Sequence, residues 1–363
     1  MLAILLALSA AARDKPGREI RVLLGEVNPK LTIAGSGLKM HSARKKFGKS
    51  FSAIELSVSG GKLFFKEKDM GAWARVSSKA PIAINGKSYA GKIFIEKSSG
   101  RFLVINRLDL ETYLEGVIKN EMSVKWPLEA LKAQTVLART YAVKKIEQPR
   151  SEKYDLAATV EDQVYSGLRD QDPASLDAIK ETEGEVLFYN SQLADVFYHS
   201  CCGGRTEAAE YVWGGYGRTY LQPVKCDSCD QCPYYFWRYP ETGAISPQDL
   251  ADRLGFQGDA VSKIEIIDMS PSQRALKLKV ELKSGRQTEI SGSDFRLRLG
   301  RDLVRSTLFK IRQEPDGFII FGSGSGHGVG LCQWGAKGMA DQEKNYQEIL
   351  ERYFPGTKIK KIY

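Results

Sequence analysis

The side chains in this sequence that are best suited to chemistry include several cysteines close together along the chain. Cys226, Cys229 and Cys232 recur at every third position, and an adjacent pair at 201–202 precedes them. This spacing lets thiolates converge on one ion, as in a structural zinc site with a closed tetrahedral shell. Disulfide bonds are the alternative in an exported chain. The candidate metal ligands are His199, Cys202, Cys226, Cys229 and Cys232, with Cys201 as an alternative.

A single carboxylate, Glu121, is the candidate for acid–base chemistry. It lies where one predicted helix ends and shortly before Trp126 and Pro127, where the next helix is expected to begin, because proline is favoured at the first helical position. Side chains at such junctions are often functional, since rigid elements hold them in place. A solvated surface charge is the alternative interpretation of a lone glutamate.

Two cations on the second predicted helix, Lys132 and Arg139, lie two turns apart on one face. Such a pair can hold a carboxylate or stabilise charge that develops in a cleft. Two surface cations whose stems cover apolar neighbours would show the same spacing, so both interpretations stay open here.

The segment 322–336 is rich in glycines on both sides of His327, and it also contains Cys332. Glycine is needed where the backbone takes a positive φ or approaches a ligand closely. The segment lacks both the Gly-Lys-Ser/Thr of a phosphate-binding loop and a convincing dinucleotide fingerprint, so no organic cofactor is indicated. His327 is a base, a substrate donor or a packing histidine. A nucleophile pair of Cys332 with His327 is disfavoured, because no orienting third group is evident.

The elements expected to position these groups change in character along the chain. From 19 to 106, short apolar runs between Gly, Ser and Lys turns predict a small antiparallel β region. Apolar residues at helical spacing then predict one helix over 110–118 and a buried one over 128–146. Further strand-like runs lie at 186–189, 194–198, 263–267, 276–282 and 318–321, and Ser246 is placed to cap another helix.

These patterns predict an α+β protein whose two parts share a cleft. We expect a β-rich N-terminal region over 13–106 and a mixed helix and sheet region over 107–363, with a cysteine-rich loop at 199–232. A chain of 363 residues is long for one compact unit, which supports this division.

The net charge and the distribution of basic residues indicate which classes of binding partner to expect. A net charge of +9 and a pI near 9.1 predict attraction to polyanions such as nucleic acid, an anionic membrane surface or an acidic cell wall. The basic residues are scattered, and no helix-turn-helix, zinc-finger array or aromatic platform is evident. Nucleic acid is therefore not an expected partner.

The first residues, 1–12, form a short apolar run that ends in small residues at Ala10 and Ala12. This pattern is typical of an export signal with its cleavage site, and the run is shorter than the roughly 20 residues that span a bilayer. A buried N-terminal helix is the alternative. We therefore expect an exported protein of a periplasm or cell-wall space that is not membrane-spanning.

Several separate segments, taken together, resemble the SpoIID/LytB family of stage II sporulation protein D and amidase-enhancer proteins. The resemblance covers roughly 110 to the C-terminus and is specific because the motifs appear in order. The matching segments are LETYLEGVIKNEM at 110–122, WPLEALKAQTVLARTYA at 126–142, DQVYSG at 162–167, YHSCCGGRT at 198–206, VWG at 212–214 and GHGVGLCQWGA at 326–336.

The resemblance implies a peptidoglycan lytic transglycosylase, a lyase that cleaves the bond between N-acetylmuramic acid and N-acetylglucosamine and leaves a 1,6-anhydro sugar. It implies Glu121 as the single general acid and base, and zinc held by Cys and His near the YHSCCGG segment. Glycan strands of peptidoglycan are the implied partner, with a wall amidase or another cell-wall protein as a further one. The expected substrate contacts are Lys132, Arg139, Gln163, Tyr165, His327, Gln333 and Trp334.

Two other functions stay open at this point. A non-enzymatic, wall-binding amidase enhancer would keep the cleft without turnover, and a zinc-dependent hydrolase would lose turnover with its metal. Cys332 stands where many relatives have serine, which leaves its role open, and the N-terminal β region lies outside the resemblance.

Overall fold

The computed structural model describes residues 18–168, 172–215 and 217–363. The signal-like segment at 1–12 lies outside the described residues. Helices and several antiparallel sheets are both present, so the predicted α+β class is confirmed. The described chain divides into a first unit of residues 18–116, 145–168 and 361–363 and a second unit of residues 117–144, 172–215 and 217–360. The predicted domain boundary at 106 stays a prediction.

The first unit is built on one sheet, whose strands are β1 (Glu19–Glu26), β2 (Lys30–Ser42), β3 (Phe51–Ser59), β4 (Lys62–Phe65), β5 (Lys68–Gly71), β6 (Trp73–Ser77), β7 (Ile82–Ile84), β8 (Lys87–Tyr89), β9 (Lys92–Ser98), β10 (Arg101–Asp109) and β11 (Leu156–Ala157). The strand order is β11-β1-β10-β9-β6-β2-β3-β4-β5, and β7 pairs with β2 and β8. Neighbouring strands run antiparallel except for β1 and β11, which are parallel.

Alternating side chains explain why these segments form strands. In β9, Ile93 and Ile95 are fully buried, while Lys92, Phe94 and Glu96 are more exposed. A period of two places every second side chain on one face of a sheet. The antiparallel β region predicted over 19–106 is confirmed by β1 to β10.

The helix predicted over 110–118 is wrong in its extent. It divides into α1 (Leu110–Glu115) and α2 (Ile118–Glu121), and the chain turns at Gly116. A Cβ on Gly116 would lie 2.5 Å from the Tyr165 ring, so the glycine lets another segment of the first unit pack against the end of α1. The second predicted helix is confirmed as α3 (Leu128–Glu147).

The second unit contains the remaining elements. Its further helices are α4 (Pro173–Glu181), α5 (Ala209–Trp213), α6 (Pro247–Leu254), α7 (Gly292–Leu299), α8 (Gln333–Asp341) and α9 (Tyr346–Tyr353). Its strands are β12 (Glu185–Tyr189), β13 (Gln192–Leu193), β14 (Tyr198–His199), β15 (Phe236–Tyr239), β16 (Val261–Met269), β17 (Ala275–Leu282), β18 (Gln287–Ser291), β19 (Phe309–Glu314), β20 (Gly317–Ser323), β21 (Leu331–Cys332) and β22 (Lys358–Lys361).

Small sheets organise this unit, in the orders β13-β12-β22, β15-β20-β19 and β16-β17-β18, and β14 pairs in parallel with β21. The strand predicted over 194–198 is wrong in extent, because the structure has only the short β14 there. The predicted cap is confirmed, since the Ser246 hydroxyl accepts a hydrogen bond from the Asp249 backbone N–H at 3.1 Å at the start of α6. Within the described part of the chain, no helix is both long and apolar enough to cross a membrane.

A substitution at Gly167 would test how tightly the first unit is packed. It has a φ of +73°, and a Cβ there would lie 2.1 Å from the Ser88 carbonyl oxygen. We expect Gly167→Ala to lower the free energy of unfolding by more than about 3 kcal/mol, because steric overlap adds to the cost of a left-handed backbone. Gly100, with a φ of +81° and open space around its Cβ position, supplies the matched control. Gly100→Ala should lose about 1–2 kcal/mol in the same urea titration, and equal losses for both variants would contradict the packing argument.

Candidate functional site

Glu121 lies at the end of a short helix and is partly exposed. It is the last residue of α2, and the backbone becomes extended at Met122. The carbonyl oxygen of Glu121 accepts a hydrogen bond from Nε2 of Gln333 at 2.9 Å. Gln333 is the first residue of α8, so the structure brings two distant predicted site residues into direct contact.

Gln333 connects this junction to the buried helix α3. Its Nε2 also donates to Oε1 of Gln134 at 3.4 Å. Gln134 is fully buried, and its amide nitrogen has no hydrogen-bond partner among the described residues. Because both Gln333 contacts are internal, the structure gives it a positioning role, and its predicted sugar contact stays a prediction.

Two tryptophans border the segment that carries Glu121. The rings of Trp126 and Trp334 meet edge to face, with centroids 4.9 Å apart and an interplanar angle of 62°. Both are partly exposed, and the Lys337 ammonium lies 5.9 Å from the Trp334 ring centroid. The pair therefore presents apolar ring surface of the kind on which a pyranose can stack.

Lys132 is held by carboxylates. Its Nζ lies 2.6 Å from oxygens of both Glu129 and Glu181, and its side chain is 12% exposed. Burial lowers the pKa of Lys132, but the hydrogen bonds to the two glutamates outweigh that effect and raise it overall. The Lys132 side chain is therefore a permanent cation in a mainly acidic setting, and its predicted substrate contact stays a prediction.

Arg139 is fully buried inside the second unit. Its guanidinium donates to the Thr182 hydroxyl at 3.3 Å, to the Glu185 carbonyl at 3.2 Å and to the Ile179 carbonyl at 3.3 Å. These contacts tie α3 to the end of α4 and the start of β12. The structure does not place Arg139 beside Lys132 on an open face, and a sugar would reach it only if this packing opened.

Gln163 and Tyr165 lie in the first unit, and both are buried. The Gln163 Oε1 accepts a hydrogen bond from the Tyr113 hydroxyl at 3.0 Å, and the Tyr165 hydroxyl donates to Oδ1 of Asn106 at 2.9 Å. Burial raises the pKa of Tyr165. Both side chains therefore support the fold locally, and their predicted sugar contacts stay predictions.

His327 uses both ring nitrogens internally. Its Nδ1 accepts the Val329 backbone N–H at 3.0 Å, and the ring is also hydrogen-bonded to the Tyr198 backbone. Burial lowers the pKa of His327 to about 4. The ring is therefore neutral at physiological pH, and the geometry favours the packing histidine among the three interpretations of this residue.

Four cysteine sulfurs form a compact group. Among the described residues, Sγ atoms of Cys202, Cys226, Cys229 and Cys332 all lie within 4.8 Å of one another, and all four cysteines are buried and unpaired. The Cys202 and Cys229 sulfurs are 3.6 Å apart. A zinc ion with bonds of about 2.3 Å in a tetrahedron separates its sulfurs by about 3.8 Å, so the group has the size of one metal site.

The surroundings of these sulfurs suit thiolate ligands. The Cys332 sulfur lies 3.2 Å from the Cys202 N–H and 3.3 Å from the Gly335 N–H, which both donate to it. The neighbouring thiols of Cys201 and Cys202 lower the pKa of Cys229, whereas burial raises the pKa of Cys332. Backbone donors of this kind stabilise the negative charge that a ligating sulfur carries. The donor set therefore fits a metal ion with soft ligands such as zinc.

Not all of the predicted metal ligands join this group. His199 and Cys232 lie outside the four-sulfur group, whereas Cys332, whose role the sequence left open, lies within it. His199 Nδ1 is 3.0 Å from the Val329 carbonyl and must donate to it, which leaves the lone pair on Nε2. Nε2 is buried and has no partner among the described residues, so the predicted ligation by His199 stays a prediction.

Sequence reasoning also missed Trp213 as a surface aromatic. Its ring is 51% exposed and stacks on Phe197, with centroids 4.4 Å apart. The VWG motif contains this tryptophan, but nothing in its spacing distinguished an exposed ring from a core residue. Cys332 gave a better signal, because it is the one cysteine that lies outside the cysteine-rich loop at 199–232.

Two protein families match separate parts of the chain, and one relative matches almost all of it. The family described as Stage II sporulation protein matches residues 98–189, and a family described as a domain of unknown function matches residues 225–330. An uncharacterised protein of Brachyspira hyodysenteriae is 34% identical over 350 residues, which cover 94% of this chain and 92% of that protein.

The relatives with functional names include two proteins of Bacillus subtilis. The amidase enhancer of Bacillus subtilis is 31% identical over 363 residues, covering 84% of this chain and 49% of that protein. Stage II sporulation protein D of Bacillus subtilis is 29% identical over 271 residues, covering 70% of this chain and 75% of that protein. The chain therefore spans about half the length of the amidase enhancer.

The neutral state of His327 has a consequence for stability. Its pKa in the folded protein, about 4, is below the 6.5 that is usual for an exposed histidine, so protonation favours the unfolded chain. Its contribution is complete above pH ~6.5 and is lost as the pH falls towards 4. Between pH 7 and pH 5 we expect the free energy of unfolding to fall by about 2 kcal/mol more in the wild type than in His327→Asn. Parallel urea titrations measure this, and an identical pH dependence in the two proteins would contradict it.

Proposed function

Because the chain belongs to the SpoIID/LytB family, we propose that it acts on the cell wall as a peptidoglycan lytic transglycosylase. The observation that carries the proposal is the hydrogen bond from Gln333 to the Glu121 carbonyl, at 2.9 Å. It joins the segment that ends in Glu-Met to the GHGVGLCQWGA segment, which are more than two hundred residues apart in sequence. Two segments that share no element of secondary structure thus meet at the main chain of Glu121.

A single carboxylate suffices for this reaction. Ordinary glycosidases need two, one as acid and one as nucleophile or base. In the proposed reaction Glu121 protonates the oxygen that leaves C1 of the muramic acid sugar, and the C1–O bond breaks. The sugar's own hydroxymethyl oxygen then bonds to C1, and Glu121 takes the proton from that hydroxyl. The product is a 1,6-anhydro sugar, Glu121 is protonated again, and no water is consumed.

The surroundings of Glu121 supply the other requirements of such a site. The exposed faces of Trp126 and Trp334 are proposed to stack on a sugar ring, as the sequence predicted for Trp334. Gln333 is proposed to fix the helix end that carries the carboxylate, since a misplaced catalytic group loses much of its effect. Lys132, Arg139, Gln163, Tyr165 and His327 are kept as proposed substrate contacts, although the described contacts of all five are internal.

We also propose that the four-sulfur group binds structural zinc. Four thiolates of Cys202, Cys226, Cys229 and Cys332 fill a tetrahedral shell and leave no open position, which argues against a catalytic metal. Cys332 directly precedes Gln333, so a metal held there fixes the residue that contacts Glu121. The zinc-dependent hydrolase considered from the sequence is accordingly the weaker proposal.

A non-enzymatic amidase enhancer is the second candidate. The likeness to the Bacillus subtilis amidase enhancer, at 31% identity, is the observation in its favour. In that case the tryptophan surface would bind the wall, and a wall amidase would be the partner. For either function we propose an exported protein of a periplasm or cell-wall space with peptidoglycan glycan strands as its ligand.

Replacement of the carboxylate separates the two candidates. With Glu121→Gln we expect a loss of strand cleavage of about 100- to 10,000-fold, since general acid–base catalysis contributes that much. Mass spectrometry of intact and peptide-stripped glycan strands measures the 1,6-anhydro ends. Glu183→Gln, an exposed glutamate in the same unit, is the matched control and should keep full activity.

The outcomes of this experiment are distinct. Anhydro ends from the wild type and the control alone establish the transglycosylase. Reducing ends would indicate a hydrolase with a second catalytic group. If neither wild type nor variant changes any strand, and both bind it equally, the amidase-enhancer function replaces the enzymatic one.

Removal of the metal is expected to unfold the second unit before it affects catalysis in any other way. Structural zinc sites contribute about 10 kcal/mol or more of apparent binding free energy, which exceeds the stability of most domains. Incubation with a strong chelator should therefore lower the melting temperature and the cleavage rate together, and added zinc should restore both. A protein that keeps its melting temperature while it loses turnover would instead support the hydrolase.

A further inference from the structure

Basic residues that are scattered along the sequence come together at one end of the sheet in the first unit. The loop between β2 and β3 and the turn between β4 and β5 lie at this end, because these four strands run antiparallel in succession. The exposed cations of the loop, the turn and the start of β5 are called the basic surface here: Arg44, Lys45, Lys46, Lys49, Lys66 and Lys68.

Three phenylalanine rings form the base of this surface. Phe47, Phe51 and Phe65 meet edge to face in all three pairs, with ring centroids 5.4 to 5.7 Å apart. Each ring has a lysine ammonium over it, and the distances to the ring centroids are 5.3 Å for Lys45 over Phe47, 5.8 Å for Lys49 over Phe51 and 5.7 Å for Lys66 over Phe65. Cation–π attraction holds an ammonium near a ring without neutralising its charge. The three lysines are therefore grouped and still positively charged.

The basic surface keeps an excess of positive charge. The segments 43–51 and 65–69 contain six cations and two carboxylates, so they carry four of the nine net positive charges of the chain. One of the carboxylates, on Asp69, pairs with Arg44 at 3.1 Å. Within the described ranges, no carboxylate forms an ion pair with the three lysines that lie over the rings. Their ammonium groups are thus available to an anionic ligand.

The loop that carries most of these cations is held by hydrogen bonds. The Lys45 N–H donates to Oγ of Ser42 at 3.0 Å, and the Ser42 N–H donates to the Lys45 carbonyl at 2.8 Å. Beyond this turn, the Phe47 N–H donates to the Met40 carbonyl at 3.2 Å. A loop that is ordered before binding loses less conformational entropy when it binds a ligand.

Trp73 borders the same loop. Its carbonyl accepts a hydrogen bond from the Ala43 N–H at 3.1 Å, and the residue is 41% exposed. The chain before it also packs closely on the loop, since a Cβ on Gly71 would lie 2.8 Å from the Ala43 Cβ. An exposed indole offers a large flat apolar face, on which a pyranose ring can stack.

These features favour an acidic glycan over a membrane as the ligand. Phe65 is 4% exposed, and Phe47 and Phe51 are at most partly exposed, so none of the three rings is free to enter a bilayer. Binding at a membrane interface needs buried apolar side chains as well as cations. Cations beside a ring that can stack on a sugar match a glycan with carboxylates, and peptidoglycan carries carboxylates on its stem peptides.

We propose that the basic surface and Trp73 form a second peptidoglycan-binding site, where the lysines bind carboxylates of the stem peptides and the indole stacks on a sugar of the strand. The inference rests on the proposed ligand, peptidoglycan, and not on cleavage by Glu121. The match to the Stage II sporulation protein family begins at residue 98, so this site lies outside the matched segment. The site gives the N-terminal β region a role in attachment to the wall.

Binding of the full chain to immobilised intact peptidoglycan tests the site. All proteins carry Glu121→Gln, so that the wall is not cut during the measurement. Lys45→Gln, Lys49→Gln and Lys66→Gln are then added together. Exposed ion pairs contribute a factor of about two to three each, so we expect these three changes to raise the Kd about tenfold at low salt.

A matched control carries the same change of charge elsewhere in the first unit. Its substitutions are at three exposed lysines outside the basic surface, Lys79→Gln, Lys87→Gln and Lys92→Gln. This control should bind intact peptidoglycan as tightly as the Glu121→Gln protein does. An equal loss in the control would show a general effect of net charge and would overturn the proposal.

Two further probes identify the anionic ligand. On glycan strands stripped of their stem peptides, the loss caused by the three lysine changes should disappear, because the carboxylates are gone. A loss that persists undiminished on stripped strands overturns the proposal, and so does equal binding of the two proteins to intact peptidoglycan. Tighter lysine-dependent binding to phosphatidylglycerol vesicles than to intact peptidoglycan also overturns it and assigns the surface to a membrane.

A salt series decides the question even if the lysine variant does not fold. Between about 50 and about 300 mM NaCl, binding of the Glu121→Gln protein to intact peptidoglycan should weaken at least about threefold, because salt screens exposed charges. Binding that is independent of salt overturns the proposal. Cleavage of stripped strands by the wild type together with such a result would retain the proposed enzyme, whereas lysine-dependent binding without any cleavage would retain the site alone.

Discussion

The convergence of buried sulfurs at one point is the constraint on which the second unit depends. The sulfurs come from the 199–206 segment, from the Cys226–Cys232 loop and from the end of β21, and backbone hydrogen bonds also join these segments, as between β14 and β21 and from the Cys226 N–H to the Gly204 carbonyl. Helix α8 meets the loop through glycines, since a Cβ on Gly338 would lie 1.9 Å from the Ser228 carbonyl and one on Gly335 would lie 2.6 Å from the Cys226 sulfur. Larger residues at these positions would push the helix away from the sulfurs.

Cys332 also links the four-sulfur group to the main chain of Glu121, because its neighbour Gln333 contacts that main chain. Cys332 caps α8 through its sulfur, and the next residue, Gln333, donates to the Glu121 carbonyl and to Gln134. Helix α2 is only four residues long, and no side chain caps its start. Its position therefore depends on tertiary contacts rather than on its own helical stability. A fixed Cys332 therefore helps to fix the main chain at Glu121, the residue proposed as the general acid and base.

Local sequence patterns predicted most helices and strands. The predictions failed where contacts between residues distant in sequence decide the structure. The α+β class, the β-rich start, α3 and the Ser246 cap follow from alternation, helical periodicity and capping chemistry, which act over a few residues. The break at Gly116 could not be predicted, because it arises where Tyr165 packs against the glycine. The cysteine-rich loop predicted that several sulfurs converge, but spacing alone could not show that a distant cysteine, Cys332, joins the four-sulfur group or that His199 and Cys232 lie outside it. The predicted pair of Lys132 and Arg139 is a further example. Helical spacing placed both on one face, but in the structure Lys132 is partly exposed and Arg139 is fully buried.

In the proposed function, the metal and the Glu121 carboxylate would have separate roles. A shell of thiolates without an open position cannot activate water or polarise a sugar, so its contribution is rigidity. A single glutamate that must first give a proton and then take one back to the same residue needs its position to be constant over both steps, more than it needs a second catalytic group. Transglycosylation meets that need, because its nucleophile is part of the substrate and no water has to be placed. If the four-sulfur group binds zinc and Glu121 is the single acid and base, as proposed, a rigid anchor close to that residue fits an intramolecular reaction better than it fits hydrolysis.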